Sequence, residues 1–132
     1  MASELSDKKV LLCVTGGIAA YKACEVASKL SQAGASVHVA MTAEAVRFVG
    51  AVTFQALTGR PVATTLWQAD EATPIPHINL AQTADLILVA PATANILAKY
   101  ACGIADEIVS TLLLAADPRR VYIAPAMNER MW

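Results

Sequence analysis

The chain has 132 residues, a length that indicates one domain large enough to bury its own core. Its ten lysines and arginines balance eleven acidic residues, and the absence of a basic cluster argues against a nucleic-acid partner. Hydrophobic residues make up 56% of the chain, which is high for a small domain. We therefore expect some apolar surface to be buried against other subunits.

No segment has the pattern of a membrane span or a secretory signal. The most apolar stretch, residues 86–98, is shorter than a span and contains Pro91 and Asn95, and the polar start of the chain lacks an apolar run. Three cysteines occur, at Cys13, Cys24 and Cys102. Their number is odd and their spacing fits neither a zinc site nor a redox pair. The sequence predicts a cytoplasmic protein with free thiols and no metal site.

The first half of the chain alternates strands with helices. Residues 9–15 form a continuous apolar run typical of a strand that is covered on both faces. Residues 18–33 have helical spacing, and Gly34 supplies a stop. Residues 36–41 alternate as a second strand, after which Thr42 stands at a helix N-cap position.

The second half repeats this alternation. A short helix at 53–59 ends at Gly59, and residues 61–76, which contain three prolines and no clear period, are predicted to be a loop. A third strand, 85–90, ends at Pro91; helices follow at 94–102 and 105–116, with Gly103 between them, and residues 121–125 form a fourth strand. The pattern predicts a single α/β domain over 9–132 with a Rossmann-like, doubly wound parallel sheet, helices on both faces and a disordered tail at 1–8.

The first segment that carries chemistry is TGGIAAYK, residues 15–22, at the turn from the first strand to the first helix. Gly16 and Gly17 let the backbone approach a ligand closely, and the helix N-terminus offers N–H groups to an anion such as phosphate. The spacing matches neither the dinucleotide fingerprint nor the Walker loop. The residues alone leave two interpretations open, a structural turn or a phosphate site.

Two further segments follow the third and fourth strands. In APATANILAKYACGIAD, residues 90–106, Thr93 and Asn95 either cap a helix or hold a polar ligand. In PAMNERMW, residues 125–132, Asn128 lies between methionines that are more often core filler than ligand contacts. Since ligands of doubly wound sheets bind at the carboxyl ends of the strands, all three segments are expected at one edge.

Together, these motifs resemble the flavin-containing cysteine decarboxylases. The resemblance rests on TGGIAAYK, PHINLAQTADLILVAP, PATANILAKYACGIAD and PAMNERMW, in the family's order, and it covers about Lys9 to Trp132. It implies FMN as cofactor. The cofactor contacts that it implies are Gly16, Gly17, Ile18, Thr42, Thr93, Ala94, Asn95 and Ala126. The chain departs from the family pattern at two positions, with Ile96 in place of threonine and Cys102 in place of asparagine.

The resemblance also implies the catalytic residues. His77 matches the family's catalytic histidine and would act as the base, whereas the residues alone favour a solvated loop residue at this position. Asn128 would bind the substrate carboxylate, with Met127 beside it. The resemblance implies that flavin takes two electrons from the cysteine side chain, so that the charge left by decarboxylation is delocalised onto sulfur. His38, on an alternating strand, is interpreted as structural.

Within the family, the resemblance is strongest to the enzymes that decarboxylate 4'-phosphopantothenoylcysteine in coenzyme A biosynthesis. It implies a small-molecule substrate and a homo-oligomer, a trimer or four trimers in a dodecamer, with no nucleic-acid or membrane partner. It also implies a clamp carrying an acidic cysteine beyond the last motif, and this chain is expected to lack it. The alternatives are a non-catalytic flavin-binding or regulatory subunit, a peptidyl-cysteine decarboxylase and a flavin prenyltransferase, whose usual GASG-type turn is not matched.

Overall fold

The computed structural model describes residues 4–67 and 76–132, which form a parallel sheet between two layers of helices. The four strands of this sheet lie in the order β2-β1-β3-β4. They are β1 (Lys9–Val14), β2 (Ser36–Met41), β3 (Leu86–Ala92) and β4 (Val121–Pro125). The helices are α1 (Ala20–Gln32), α2 (Ala43–Phe48), α3 (Ala51–Thr58), α4 (Pro76–Thr83), α5 (Ala94–Cys102) and α6 (Ile108–Ala115). The predicted doubly wound α/β fold is confirmed.

The central strand β1 shows why the sheet needs helices on both faces. Its side chains alternate: Leu11 and Cys13 pack into the core beneath α4, α5 and α6, whereas Leu12 and Val14 pack into the core beneath α1, α2 and α3. All four are fully buried. A strand with one buried face alternates apolar and polar residues. Because both faces of β1 are buried, its residues from Val10 to Val14 are all apolar, as the sequence shows.

The helix ends follow from local chemistry. Gly59 and Gly103 adopt left-handed backbone angles, with φ of 74° and 72°, and end α3 and α5 as predicted. Helix α6 begins at Ile108, later than the predicted 105, because Glu107 has extended backbone angles and acts as its N-cap. The Glu107 carboxylate accepts hydrogen bonds from the backbone N–H groups of Val109 and Ser110, which completes a capping box.

Helix α4 occupies a region that the sequence pattern left unassigned. It begins at Pro76, so the backbone of His77 is helical and the interpretation of this residue as part of a loop is wrong. Of the predicted loop at 61–76, the structure describes residues 61–67 and Pro76, and Pro76 is helical instead of loop. Within 61–67, Ala63 extends the sheet beside β2, since its N–H donates to the Val39 carbonyl at 2.9 Å and its carbonyl accepts from Met41 at 2.9 Å.

Strand β3 passes through Pro91 instead of ending there. It runs to Ala92, but its pairing with β4 is irregular between Val89 and Ala92. An irregular ladder tolerates the missing N–H of proline, which explains why the predicted end at Pro91 is wrong by two residues. The peptide bond before Pro91 is cis.

The first described residues pack against the domain. Residues 4–8, expected to belong to a disordered tail, form a turn in which the Leu5 N–H donates to the Ala33 carbonyl at 3.0 Å. The Leu5 side chain packs against the core beneath α1. Among the described residues, no helix combines the length and the apolar character that crossing a membrane requires.

One buried hydroxyl joins the carboxyl ends of the two central strands. Thr15, which follows β1 and is 1% exposed, donates a hydrogen bond to the Pro91 carbonyl and accepts one from the Thr93 N–H at 3.1 Å. Because these two bonds span the gap between β1 and the end of β3, they fix the two turns that follow the strands relative to each other.

We expect Thr15→Val to lower the free energy of unfolding by about 1–3 kcal/mol, because it leaves the Thr93 N–H and the Pro91 carbonyl buried without this partner. Urea denaturation followed by circular dichroism measures the change. Thr15→Ser keeps the hydroxyl and serves as the matched control. Equal stability of the valine and serine variants would contradict this role.

The three cysteines are free and differ in burial. Cys13 is fully buried, and this burial, with the nearby Glu107 as a second cause, raises the pKa of its thiol from 9.0 to about 12. Burial also raises the pKa of Cys24, which is half-buried. Cys102, at the end of α5, is exposed. The thiolate is the nucleophilic form, so Cys13 is held inert.

In the native protein at pH 8, we expect iodoacetamide to modify Cys102 readily and Cys13 only after denaturation, as measured by peptide mass spectrometry. The folded-state pKa of Cys13 lies above its unfolded value. Its contribution to stability is therefore complete below about pH 9 and is lost as the pH rises toward 12. Modification of both thiols at one rate would show that the core around β1 opens easily.

Candidate functional site

A cavity of about 870 Å³ lies at the carboxyl ends of β1 and β3. This is where the sheet changes winding direction, since β1 leads to α1 on one face and β3 leads to α5 on the other. The volume is in the range of small-molecule sites, about 300–1,000 Å³. Ten of the residues singled out from the sequence line it: Gly16, Gly17, Ile18, Thr42, Thr93, Ala94, Asn95, Ala126, Met127 and Asn128.

The glycine turn is closely packed on one side and open on the other. A Cβ atom on Gly16 would lie 2.5 Å from the Cβ of Glu44 and 2.9 Å from its carbonyl carbon, so the start of α2 leaves no room for a side chain. A Cβ on Gly17 would meet only the methyl group of Thr93, at 3.7 Å. Gly16 thus has a packing role, whereas Gly17 exposes backbone to the cavity.

The two predicted threonines are both helix caps and cavity residues. Thr42 Oγ1 accepts from the Ala45 N–H at 3.0 Å at the start of α2, and Thr93 Oγ1 accepts from the Ile96 N–H at 3.3 Å at the start of α5. A hydroxyl that accepts such a bond still has its own proton to donate. The structural and functional interpretations of these residues are therefore compatible.

Asn128 belongs to a short turn after β4. Its side-chain oxygen accepts from the Arg130 N–H at 2.9 Å, and its carbonyl accepts from the Met131 N–H at 2.9 Å. The turn is tied to β3 by the Ala126 N–H, which donates to the Ala92 carbonyl at 3.1 Å. Because the oxygen of the Asn128 amide is used within the turn, its NH₂ group remains the donor for a ligand.

The structure describes the backbone of His77 but not its side chain. This residue is the second of α4. His38, the other histidine, is half-buried on β2, and this burial together with nearby Arg60 and Lys9 lowers its pKa. It is not among the residues that line the cavity described above.

Several cavity residues have no assigned role in the sequence analysis. The polar members of this group are Thr15, Glu44, Lys99 and Glu107. Lys99 lies four residues after Asn95, the helical spacing that places both on one face of α5, so the periodicity contained a usable signal. The hydrogen-bonding role of Thr15 has no such signal, because it depends on a residue 76 positions away.

Lys99 is paired with an acid in the turn before α6. Its Nζ lies 2.9 Å from Oδ1 of Asp106. The hydrogen bond from Lys99 is the largest cause that lowers the pKa of Asp106. The described residues contain no group of three histidine, cysteine or acidic side chains that is placed to hold a metal ion. The polar chemistry of the cavity is therefore that of hydroxyls, amides, helix N-termini and a few charges.

Known proteins are similar to this chain over nearly its whole length. The family model described as Flavoprotein matches residues 1–132. The chain is 55% identical over 128 residues to the coenzyme A biosynthesis bifunctional protein CoaBC of Bacillus subtilis, and 51% identical over 126 residues to that of Mycobacterium tuberculosis H37Rv. These matches cover 97% and 95% of this chain but only 31% and 29% of the relatives, so the chain spans about a third of their length.

Solved structures share the fold. The FMN-dependent cysteine decarboxylase TvaF from thioviridamide biosynthesis is 34% identical, with a TM-score of 0.85, over 96% of this chain and 77% of TvaF. A PPC decarboxylase mutant complexed with pantothenoylaminoethenethiol is 27% identical, with a TM-score of 0.77, over 95% of this chain and 70% of that enzyme. The family match and the identities agree with one another. The chain therefore belongs to the Flavoprotein family and is a homologue of the FMN-dependent cysteine decarboxylases.

Proposed function

We propose that this domain binds FMN and decarboxylates 4'-phosphopantothenoylcysteine to 4'-phosphopantetheine in coenzyme A biosynthesis. The observation that carries the proposal is the single cavity that joins the glycine turn, the α5 start and the turn of Asn128. The high identity to coenzyme A biosynthesis proteins supports the substrate. The related PPC decarboxylase binds a ligand of the same chemical type.

The residues present fit a flavin phosphate at one end of the cavity. No side chain caps the N-terminus of α1, and the turn of Gly16, Gly17 and Ile18 leads directly into it. A helix start of this kind offers backbone N–H groups and the positive end of the helix dipole to an anion. Thr42 and Thr93 would add hydroxyl donors.

The rest of the cavity fits an apolar ring. Ile18, Ile96, Met127 and Met131 line it, and such aliphatic and thioether groups pack well against a flat aromatic system. When bound, the flavin supplies a two-electron acceptor and donor. The protein would position the ring and the substrate and would exclude water from between them.

Asn128 is proposed to orient the substrate carboxylate through its side-chain NH₂ group. The turn of Asn128 holds that amide by its oxygen, so the donor is pre-positioned before substrate arrives. His77 is proposed as the base that takes the proton released from the substrate, because its place in the motif at the start of α4 matches the family's catalytic histidine.

We also propose that the protein works in the cytoplasm as a homo-oligomer, a trimer or four trimers in a dodecamer. Large apolar side chains are exposed beside the cavity, including Ile18 at 82% and Met131 at 63%. Tyr21, in the first turn of α1, is 60% exposed. Exposed apolar groups clustered at a ligand site indicate a surface that another subunit covers.

A second candidate is decarboxylation of a peptidyl cysteine. The solved peptidyl-cysteine decarboxylase EpiD is 26% identical to this chain, with a TM-score of 0.79 against 0.77 for the PPC decarboxylase mutant compared above. A cavity that opens to solvent at Met131 would also admit a peptide end. The two candidates share one cofactor site and differ only in substrate.

The purified protein loaded with FMN is expected to be yellow and to release CO₂ from 4'-phosphopantothenoylcysteine faster than from a peptide that ends in cysteine.

Asn128→Asp keeps the oxygen that accepts from Arg130 but replaces the amide donor with a negative charge, so it should retain FMN and lose turnover by about a hundredfold or more. His77→Asn should retain FMN and lose turnover similarly.

Release of CO₂ only from the peptide would favour the second candidate. FMN binding without CO₂ from either substrate would support a non-catalytic flavin-binding subunit and contradict the proposal. Size-exclusion chromatography with light scattering tests the oligomer, for which a monomeric mass at micromolar concentration is the contrary result.

Gly16→Ala should weaken FMN binding and stability together, because its Cβ would displace the start of α2. Overpacking costs about 1–3 kcal/mol, equivalent to a roughly 5- to 150-fold change in an equilibrium constant. Gly17→Ala is the matched control for stability, since its Cβ makes only an ordinary contact. Thermal unfolding and FMN titration measure both effects, and equal unfolding midpoints for the two variants would contradict the packing role of Gly16.

A further inference from the structure

We propose that Lys99 is the cation that stabilises the negative charge of the reduced flavin, and that Asp106 holds it in place. This inference rests on the proposed FMN site and adds a residue that controls the redox potential of the cofactor. Lys99 is a charged side chain that lines the cavity, and the decarboxylation scheme proposed above gives this residue no role.

Lys99 is a partly buried lining residue of the cavity. It lies on the face of α5 that also presents Asn95 and Ile96 to the cavity, and its side chain is 20% exposed. The side chain of its partner Asp106 is 58% exposed and lies in the turn before α6. Water screens the exposed carboxylate more than the partly buried ammonium. Lys99 lines the cavity and Asp106 does not, so the cationic member of the pair is the one beside the cavity.

The acidic side chains of the cavity interact with other groups. Among the described lining residues, Lys99 is the only cation, and Glu44 and Glu107 are the only acids. The Glu107 carboxylate caps α6 and faces the positive end of that helix. Glu44 is 67% exposed and pairs with Arg47 at 3.5 Å. The two acids of the cavity thus have partners of their own, and Lys99 is the one cation among its described lining residues.

The position of Lys99 along α5 indicates which part of an FMN molecule it meets. Lys99 is six residues beyond Thr93, the N-cap of α5, which corresponds to about 9 Å along the helix. The phosphate is expected at the other end, beside the glycine turn and the helix starts. We therefore infer that Lys99 lies toward the ring end of the cofactor.

A flavin ring becomes anionic when it takes up two electrons and one proton, and the charge then lies near N1 and the C2 carbonyl. A positive group near this edge favours the reduced form over the neutral oxidised form and so raises the potential. In the proposed reaction the substrate supplies both electrons and later takes them back. A potential set by Lys99 would keep both the reduction of FMN by the substrate and its later reoxidation favourable enough to proceed.

The alternative is that the ion pair is only structural. It ties the last turn of α5 to the turn before α6, where Ser110 Oγ also donates to Asp106 at 3.5 Å. In that case removal of either partner should have the same effect, a loss of stability without a change in potential. The two roles therefore predict different signs for Lys99 and Asp106 variants.

The test measures the midpoint potential of FMN bound to the full chain, by equilibration with a reference dye at pH 7, together with FMN affinity and thermal unfolding. For Lys99→Met we expect the affinity for reduced FMN to fall about tenfold more than that for oxidised FMN, which for two electrons is a potential lower by about 30 mV. Lys99→Arg keeps the charge and should keep the potential. Asp106→Asn keeps an acceptor for Lys99 but removes the opposing charge, so it should raise the potential.

Unchanged potential in Lys99→Met, or equal lowering in Lys99→Met and Asp106→Asn, would overturn the inference. Lys99→Gln replaces the methionine variant if the latter does not fold. A wild-type chain that binds no FMN would refute the proposed cofactor site itself. A wild-type chain that binds FMN but releases no CO₂, while Lys99→Met still lowers the potential, would refute only the proposed reaction.

Discussion

The hydroxyl of Thr15 is the interaction on which the rest of the site depends. Parallel strands diverge into different helices at their carboxyl ends, and no ladder bond continues beyond them. Thr15 closes this gap by donating to the Pro91 carbonyl and accepting from the Thr93 N–H. The turn after β1 and the start of α5 therefore keep one relative position, and the cavity between them has a fixed shape.

Around this link, the groups that build the fold also form the binding surface. Thr42 and Thr93 cap helices and line the cavity, and the Asn128 amide closes its own turn while leaving its NH₂ group free for a ligand. Such double use pre-positions donors at little extra cost in conformational entropy. It also explains why the structural and functional interpretations of these residues could not be separated from the sequence: each residue does the structural task in any case.

The cavity combines weak anion-attracting elements with one full positive charge. Helix starts and hydroxyls surround the glycine turn, whereas Lys99 lies further along α5 and is held by Asp106. This separation matches a ligand that has a permanently charged end and a ring whose charge changes with oxidation state. The proposed cofactor, FMN, has this distribution of charge.

The sequence by itself determined the layers of the fold and the residues at the strand ends. Apolar runs and glycine stops are local signals, so β1, β2, β4, α5 and the glycine caps of α3 and α5 were predicted closely. Only the tertiary structure decided features that depend on distant partners. Strand β3 passes Pro91 because its pairing with β4 is irregular, and Gly16 is required by the approach of Glu44 in another element. Thr15 and Asp106 acquire their roles from residues that the fold, and not the local pattern, brings within hydrogen-bonding distance.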